Sequence, residues 1–360
     1  MPIVAETYRH VVGVDTHAAT HTYAVVGCPT GALIDQATFP TSSTGLARAL
    51  AWVGRRTGGD LGSVLVAVEG TGSYGAVLSD RLDELGYRVV EAPTPERHRG
   101  RGKTDQLDAL NAARASLAMD LAYLRDRRGG GPDAQVRAAL QVLTTARDQA
   151  NAERLRCLNA LTALTRTHDL GIDARRALTR VQIATIAGWR ARNEPLGAAT
   201  ARVQAVRLAR RITELDQDLA ANHDQIAALL PPQQAPQLLH LPGVGAVIAA
   251  TVLTAWSHPG RIRSEAAFAR LAGTCPLPAS SGNTTRHRLN RGGDRRLNRA
   301  INTIVLTRMR IDPRTRAYID RRRAEGKTNR EIRRALKRYV TRQLYRTLNN
   351  QPTPQPLDAT

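Results

Sequence analysis

Four carboxylates in this 360-residue chain stand where they can act together: Asp15, Glu69, Asp105 and Asp108. Asp15 ends the apolar run HVVGVD, Glu69 ends a second run, VLVAVE, and the last two sit three apart in KTDQLDALNAA. Acids at i and i+3 project from one helix face, so two strand ends and one helix can aim four carboxylates at one point. An all-oxygen ligand set of this kind suits Mg²⁺ or Mn²⁺, and paired cations flanked by carboxylates act on phosphodiesters. Taken alone, the helical pair has a plainer account, with Asp105 favouring a helix N-terminus and Asp108 facing water. The two strand-end acids in matching order weigh towards a metal cage. His17 stands two residues beyond Asp15 and can orient a ligand, although its plainer reading is a surface histidine.

The elements that must position these acids follow from the apolar pattern. HVVGVDTH, THTYAVVG and GALIDQATFP read as three strands, with a CPTG turn between the last two. A helix follows in STGLARALAWVGRR, with Ser43 or Thr44 as candidate N-cap. Then come the strand SVLVAVEG, the helix YGAVLSDRLDELG closed by Gly86, the strand YRVVEAPT and the helix TDQLDALNAARASLAM. Three meander strands, then helix, strand, helix, strand, helix is the order of a ribonuclease-H-like α/β domain. It is expected over residues 1–130, with the GGGP run at 129–132 as a linker.

The remainder reads as all-α. Residues 131–232 form a helical, coiled-coil region. Leu208, Ile212, Leu215, Leu219, Asn222, Ile226 and Leu229 alternate steps of four and three, a heptad seam with one polar core position. A weaker stripe runs through Leu140, Leu143, Ala150, Leu158 and Leu161. The two stripes can pair within one chain or across subunits of a homo-oligomer, a dimer or tetramer. Residues 233–350 form a basic helical domain that opens with LLHLPGVGAVIAATVLTA. Its L-P-G-V-G resembles a helix-hairpin-helix turn, in which Gly243 and Gly245 let backbone N–H groups approach a phosphate. A tight helix–helix turn is the plainer alternative. The closing helix TNREIRRALKRYVTRQLYRTL carries a Thr328–Glu331 capping box and an apolar face through Ile332, Leu336, Tyr339 and Leu344. The tail at 351–360 has a disordered composition.

Charge narrows the partners. The formal net charge is +21, and 24 Arg or Lys against 6 Asp or Glu lie between residues 236 and 350. So uneven a distribution is an electrostatic footprint for a polyanion. No apolar run approaches the roughly 18–20 residues that span a bilayer, and the first residues lack the pattern of a signal peptide. Three separated cysteines, Cys28, Cys157 and Cys275, form no C-x-x-C pair and fit reduced thiols in a cytoplasmic protein.

With these residues in view the chain resembles the DEDD transposases of the insertion-sequence 110 family. The resemblance rests on D-T-H on the first strand, E-G-T-G-S-Y after the fourth and K-T-D-x-x-D-A on the helix, and it extends over nearly the whole chain. It implies a RuvC-like N-terminal domain with Asp15, Glu69, Asp105 and Asp108 as its acidic tetrad. It also singles out the basic segment with Ala272, Gly273, Pro276, Ser281, Gly282, Arg286, Arg288, Gly292 and Arg299, where family members carry a nucleophilic serine. Ser281 matches that position through its Ser-Gly dipeptide, with Ser280 adjacent. Arg286, Arg288 and Arg299 would then neutralise phosphate charge. The resemblance further implies donor and target DNA as substrates and a structured non-coding RNA as guide, which fits a basic domain without a recognisable base-reading module.

The leading expectation is a DNA recombinase that cleaves and rejoins strands through a divalent-metal cage and a serine. The alternative is a Holliday-junction-type nuclease that cuts by hydrolysis without Ser281. A binding protein without catalysis is a third reading, disfavoured by the presence of all five residues.

Overall fold

The computed structural model describes residues 2–93, 104–127, 129–130, 133–231, 235–278, 280, 282, 287–288, 290 and 292–350. It divides into two compact units, Met1–Gln135 with Trp256–Arg263, and Val136–Ala255 with Ser264–Thr360.

The first unit is built on apolar strands. A helical turn, α1 (Val4–Thr7), precedes the antiparallel meander β1 (His10–Thr16), β2 (Thr20–Gly27) and β3 (Ala32–Pro40). Next come α2 (Ser43–Thr57), β4 (Val64–Val68), α3 (Ala76–Glu84), β5 (Arg88–Glu91) and α4 (Asp105–Leu117). The sheet order is β3-β2-β1-β4-β5, with β4 parallel to β1 and β5 parallel to β4. A mixed α/β N-terminal unit with this five-stranded sheet is consistent with a ribonuclease-H-like fold.

Because β1 and β4 are buried on both faces, they read as near-continuous valine runs. Val12, Val14, Val66 and Val68 join Leu46, Trp52, Leu78 and Leu82 of α2 and α3 in one core. Val11, Leu65, Ala67 and Val90 face the other way, onto Ala113 of α4. Alternation along β1 therefore sends Gly13 and Asp15 to the α4 side. The cap of α2 is Ser42, whose side chain accepts from Gly45 N, one residue before the expected Ser43 or Thr44. In the run Thr41-Ser42-Ser43-Thr44 every residue is a competent cap, and the backbone turn makes the choice. Residues Trp256–Arg263 return to this unit, where buried His258 contacts the Arg127 carbonyl at 3.3 Å and Arg263 donates to Leu124 O at 3.0 Å.

Among its described residues the second unit is almost entirely helical: α5 (Ala134–Thr167), α6 (Arg180–Ala187), α7 (Leu196–Leu229), α8 (Ala235–Leu239) and α9 (Ala246–Trp256), then α10 (Glu265–Leu271). A two-residue antiparallel pair, β6 (Leu277–Pro278) with β7 (His287–Arg288), interrupts the all-α expectation. The chain ends in α11 (Arg295–Ile311), α12 (Pro313–Ala324) and α13 (Asn329–Leu348). The two long helices pair with each other inside the chain. Arg154 ion-pairs with Asp216, Arg211 with Glu153, and Arg147 donates to the Leu219 carbonyl. Asn222, the polar seam position, donates to Leu143 O at 3.0 Å and accepts from Arg147 at 3.3 Å. It thereby ties one register of α7 on α5. Ile212, Leu215 and Ile226 of the seam are buried, while Leu229 is exposed. The Thr328–Glu331 capping box is present on α13, and its buried face adds Val340, Tyr345 and Leu348 to Ile332, Leu336 and Leu344, with Tyr339 only half-buried.

The closest approach in the first unit is at Gly13. A Cβ there would lie 2.1 Å from the Ala109 carbonyl oxygen and 2.5 Å from the Ala113 nitrogen of α4. Gly13→Ala is expected to destabilise the protein by about 3 kcal/mol through overpacking against backbone. Gly54→Ala is the control, since a Cβ there meets nothing within 4 Å, and in a helix interior it should stabilise by about 0.5–1 kcal/mol. Urea denaturation of both variants checks the contrast; equal and small effects would contradict the reading.

Candidate metal centre

The acids expected to form a cage come from three elements that meet at one edge of the sheet. Asp15 is the sixth residue of β1, and the parallel register Val14↔Val68 puts Glu69 beside it, just past β4. Glu69 N donates to Val14 O at 2.9 Å, which extends that ladder by one bond. Asp105 and Asp108 lie in the first turn of α4, whose N-cap Thr104 accepts from Leu107 N at 3.3 Å. Close packing of α4 on Gly13 brings this turn over the end of β1.

Asp15 is buried, its residue 5% exposed, and its Oδ2 has no hydrogen-bond partner in the protein. His17 Nδ1 lies 3.3 Å from that oxygen and 3.9 Å from Asp105 Oδ2. Ligand atoms of Asp15, His17 and Asp105 all fall within 4.8 Å of one another. Glu69, exposed, and Asp108, half-buried, stand outside this inner group, yet both charges act on Asp15. Burial first, then the negative charges of Glu69, Asp105 and Asp108, push the Asp15 carboxyl up to about 6, while His17 opposes the rise. A buried carboxylate oxygen that accepts no hydrogen bond, faces one imidazole and is acted on by three further acids is a fitting environment for a cation. The chemistry of the donors, oxygen with one imidazole nitrogen, accepts a divalent ion such as Mg²⁺ or Mn²⁺.

His17 joins the inner group while remaining an exposed surface side chain, as its plainer reading has it. Its i+2 spacing from Asp15 on a strand was the available signal, since both side chains then share a face. Glu91, at the end of β5, is the residue that the pattern did not single out. Its carboxylate accepts from the backbone nitrogens of Gly70 and Thr71 and from the Thr71 hydroxyl.

The second set of candidates lies in the other unit. Ser281 and Arg286 fall outside the described residues. Arg288 is exposed on β7, and Ser280 is exposed. Gly243 adopts φ +82°, and a Cβ on it would sit 3.2 Å from Ile304 O and 3.3 Å from Thr307 Cβ on α11. The tight turn and the close approach of α11 together require glycine there. Gly245 has open space around it. Arg308 secures the same turn by donating to Pro242 O at 2.8 Å. Arg299, although exposed, ion-pairs with Asp148 of α5 at 3.1 Å, beside the tighter Arg296–Asp148 pair at 2.7 Å.

Comparison with known proteins bears on both units. The family model DEDD_Tnp_IS110, described as a transposase, matches residues 12–168. A second, described as transposase IS116/IS110/IS902 family, matches residues 235–320. Both matches are to transposases of the IS110/IS116/IS902 group. It is 29% identical over 351 residues to the insertion element IS900 uncharacterized 42 kDa protein of Mycobacterium paratuberculosis, with 84% of this chain and 86% of the relative covered. It is also 35% identical over 135 residues to the insertion element IS110 uncharacterized 43.6 kDa protein of Streptomyces coelicolor (strain ATCC BAA-471 / A3(2) / M145), covering 37% of this chain and 33% of that protein. This likeness supports DNA transposition, with the DNA binding, strand cleavage and strand transfer that a transposase implies. The match to a DEDD transposase domain suggests a divalent metal, in keeping with the Asp15, His17 and Asp105 group. Among the described residues no helix is long and apolar enough to cross a membrane.

The raised Asp15 carboxyl has a consequence for stability. Its folded value of about 6 lies above the ordinary 3.8, so the ion-free folded protein holds this proton more tightly than the unfolded chain does. Stability from this group is present below about pH 4 and is lost as pH rises through about 6. Asp15→Asn, which carries no charge, should therefore melt above the wild type at pH 7.5 in a chelator. The advantage should shrink towards pH 4. A variant melting below the wild type at pH 7.5 would contradict the crowding of acids at this edge.

Proposed function

We propose that this chain is a transposase that cleaves and rejoins DNA through a divalent-metal centre held by Asp15, Glu69, Asp105 and Asp108 and a nucleophilic Ser281. The observation that carries the metal half is the buried Asp15 Oδ2, which accepts no hydrogen bond and lies beside Asp105 and His17. Asp15 and Asp105 would hold the inner cation with His17 as a nitrogen ligand, while Glu69 and Asp108 approach from the neighbouring strand and the next helical position. When bound, the ion supplies Lewis-acid stabilisation of a scissile phosphodiester. Mg²⁺ is the expected ion, with Mn²⁺ as the alternative.

The serine half rests on the family resemblance of the segment around Ser281. In that reading the Ser281 Oγ attacks phosphorus, its proton passes to a base, and a deoxyribose oxygen leaves as a free hydroxyl. The resulting phosphoserine bond conserves the phosphodiester's energy. Attack by the hydroxyl of another strand then restores DNA and the serine. Arg286, Arg288 and Arg299 would neutralise charge on the phosphate oxygens, and the Gly243–Gly245 turn would contact the DNA backbone. Domains at 1–130, 131–232 and 233–350 divide this work between metal centre, helical assembly region and serine-bearing basic domain. Target choice falls to an element-encoded non-coding RNA, and the protein acts as a homo-oligomer in the cytoplasm.

Incubation with Mg²⁺, cognate element-end DNA and RNA transcribed from the element's own locus tests the proposal on a denaturing gel. Wild-type protein should yield a covalent protein–DNA adduct. Ser281→Ala and Asp15→Ala should each lower it at least about 100-fold. Strand cleavage that persists in Ser281→Ala without any adduct would replace the serine with water and leave a hydrolytic nuclease.

A further inference from the structure

The peptide that follows Glu69 is gripped from both neighbouring strands. Its carbonyl oxygen accepts from the Thr16 hydroxyl of β1 at 2.8 Å. Its N–H, carried by Gly70, donates to Glu91 of β5 at 3.1 Å. The other carboxylate oxygen of Glu91 takes the Thr71 nitrogen at 3.3 Å and the Thr71 hydroxyl, and Thr71 is buried at 2% exposure. Beyond this clamp the loop curls back on itself. Gly70 adopts φ +66°, Ser73 N and Gly75 N both donate to Gly70 O, and a Cβ on Gly75 would lie 2.8 Å from Val68 Cγ1.

We infer that Glu91 and Thr16 are positioning residues that fix the Glu69–Gly70 peptide between β1 and β5 and so aim the Glu69 carboxylate at Asp15. The inference rests on the metal-centre reading proposed above and adds the residues that support one of its ligands. The physical case is one of constraint. Glu69 is exposed and lies one residue past its strand; its own N–H makes the last ladder bond, to Val14 O, and beyond it the ladder no longer holds the chain. A glycine follows it, the residue with the largest conformational freedom to lose. Left alone, that junction would swing. A carboxylate accepting three donors at 70–71 removes the freedom at one end, and the Thr16 hydroxyl removes it at the other. Charged acceptors make the stronger hydrogen bonds to backbone N–H, which accounts for an acid rather than an amide at position 91. The same logic assigns a task to the threonine of D-T-H: its neighbours supply ligand atoms, while its hydroxyl anchors the adjacent ligand's backbone. Support of this kind commonly governs metal affinity as much as the ligands do.

The test uses full-length protein, Mn²⁺ as the probe, and two readouts. Amide hydrogen exchange at Gly70 and Thr71 reports the clamp without any metal. Mn²⁺ affinity, followed by electron paramagnetic resonance of the free ion, reports the aim of Glu69. Glu91→Ala should speed exchange at both amides and weaken Mn²⁺ binding, each at least about tenfold, together with a lower ion-free melting temperature from the donors that lose their Glu91 acceptor. Glu91→Gln keeps the shape and one acceptor, and should recover much of both losses. Unchanged exchange in Glu91→Ala would overturn the clamp. Faster exchange with wild-type Mn²⁺ affinity would overturn its link to Glu69. Wild-type protein that binds no Mn²⁺ would instead sink the metal-centre reading, and the positioning role with it.

Discussion

The backbone contact between β1 and α4 at Gly13 is the constraint on which the site depends. α4 carries Asp105 and Asp108 in its first turn and a small-residue face, Ala109, Ala112, Ala113 and Ser116, against the sheet. Only a strand position without a Cβ lets that face come to backbone contact. A Cβ at this position would meet the α4 backbone at Ala109 O and Ala113 N, so the helix that carries Asp105 and Asp108 would have to shift. Close packing transmits such a shift because interiors have no slack to absorb it. Two residues of separation along β1, on one face, thus join a packing requirement to a chemical one.

What the packing brings together resists being together. Asp15 sits buried with three acids acting on it, and its carboxyl rises accordingly. The core around it, valines on both faces of β1 and β4 with aromatic contacts among Tyr23, Phe39 and Trp52 on one side, supplies the stability that this arrangement gives up. Functional sites are where local preferences yield to a requirement imposed from outside the fold. A cation at the Asp15–His17–Asp105 group would offset the crowding of negative charge on Asp15. Within the described structure, His17 offsets part of that repulsion.

Much of this was legible in the order of residues, for identifiable reasons. Strands buried on both faces leave unbroken apolar runs, so β1 and β4 and the acids at their ends stand out without any structural knowledge. The i, i+3 pair on α4 is a periodicity, and periodicity survives in sequence. Gly13 does not announce itself, because a glycine within a strand is equally compatible with a bulge or a weak point. Glu91 is hidden for a different reason. Its partners are backbone N–H groups of a distant turn, and backbone donors have no letter in the sequence. The heptad seam of α7 was plain, yet the same seam serves a partner helix in the chain or in another subunit. Its pairing with α5 depends on cross-links such as Asn222 to Leu143 O that no spacing rule contains. The serine segment lies largely outside the described residues, so its reading still stands on resemblance.

Charge in the helical unit shows how composition and structure answer different questions. A formal excess of basic residues marks a polyanion partner, but it does not say which arginines are available to one. Arg154 and Arg211 are spent on holding α5 to α7, and Arg296 with Arg299 on holding α11 to Asp148. On α13, Arg342 and Arg346 turn to Glu265, Arg338 to the Glu265 carbonyl and Lys337 to Asn298. Arg330 and Arg334 remain on the exposed side of the same helix. Most of these pairs are half-buried, and their value lies in orientation: they pin down the helices whose outer faces keep the surplus charge. An electrostatic footprint is then a property of the packed unit, in which one group of arginines fixes the scaffold and another is left to meet phosphate.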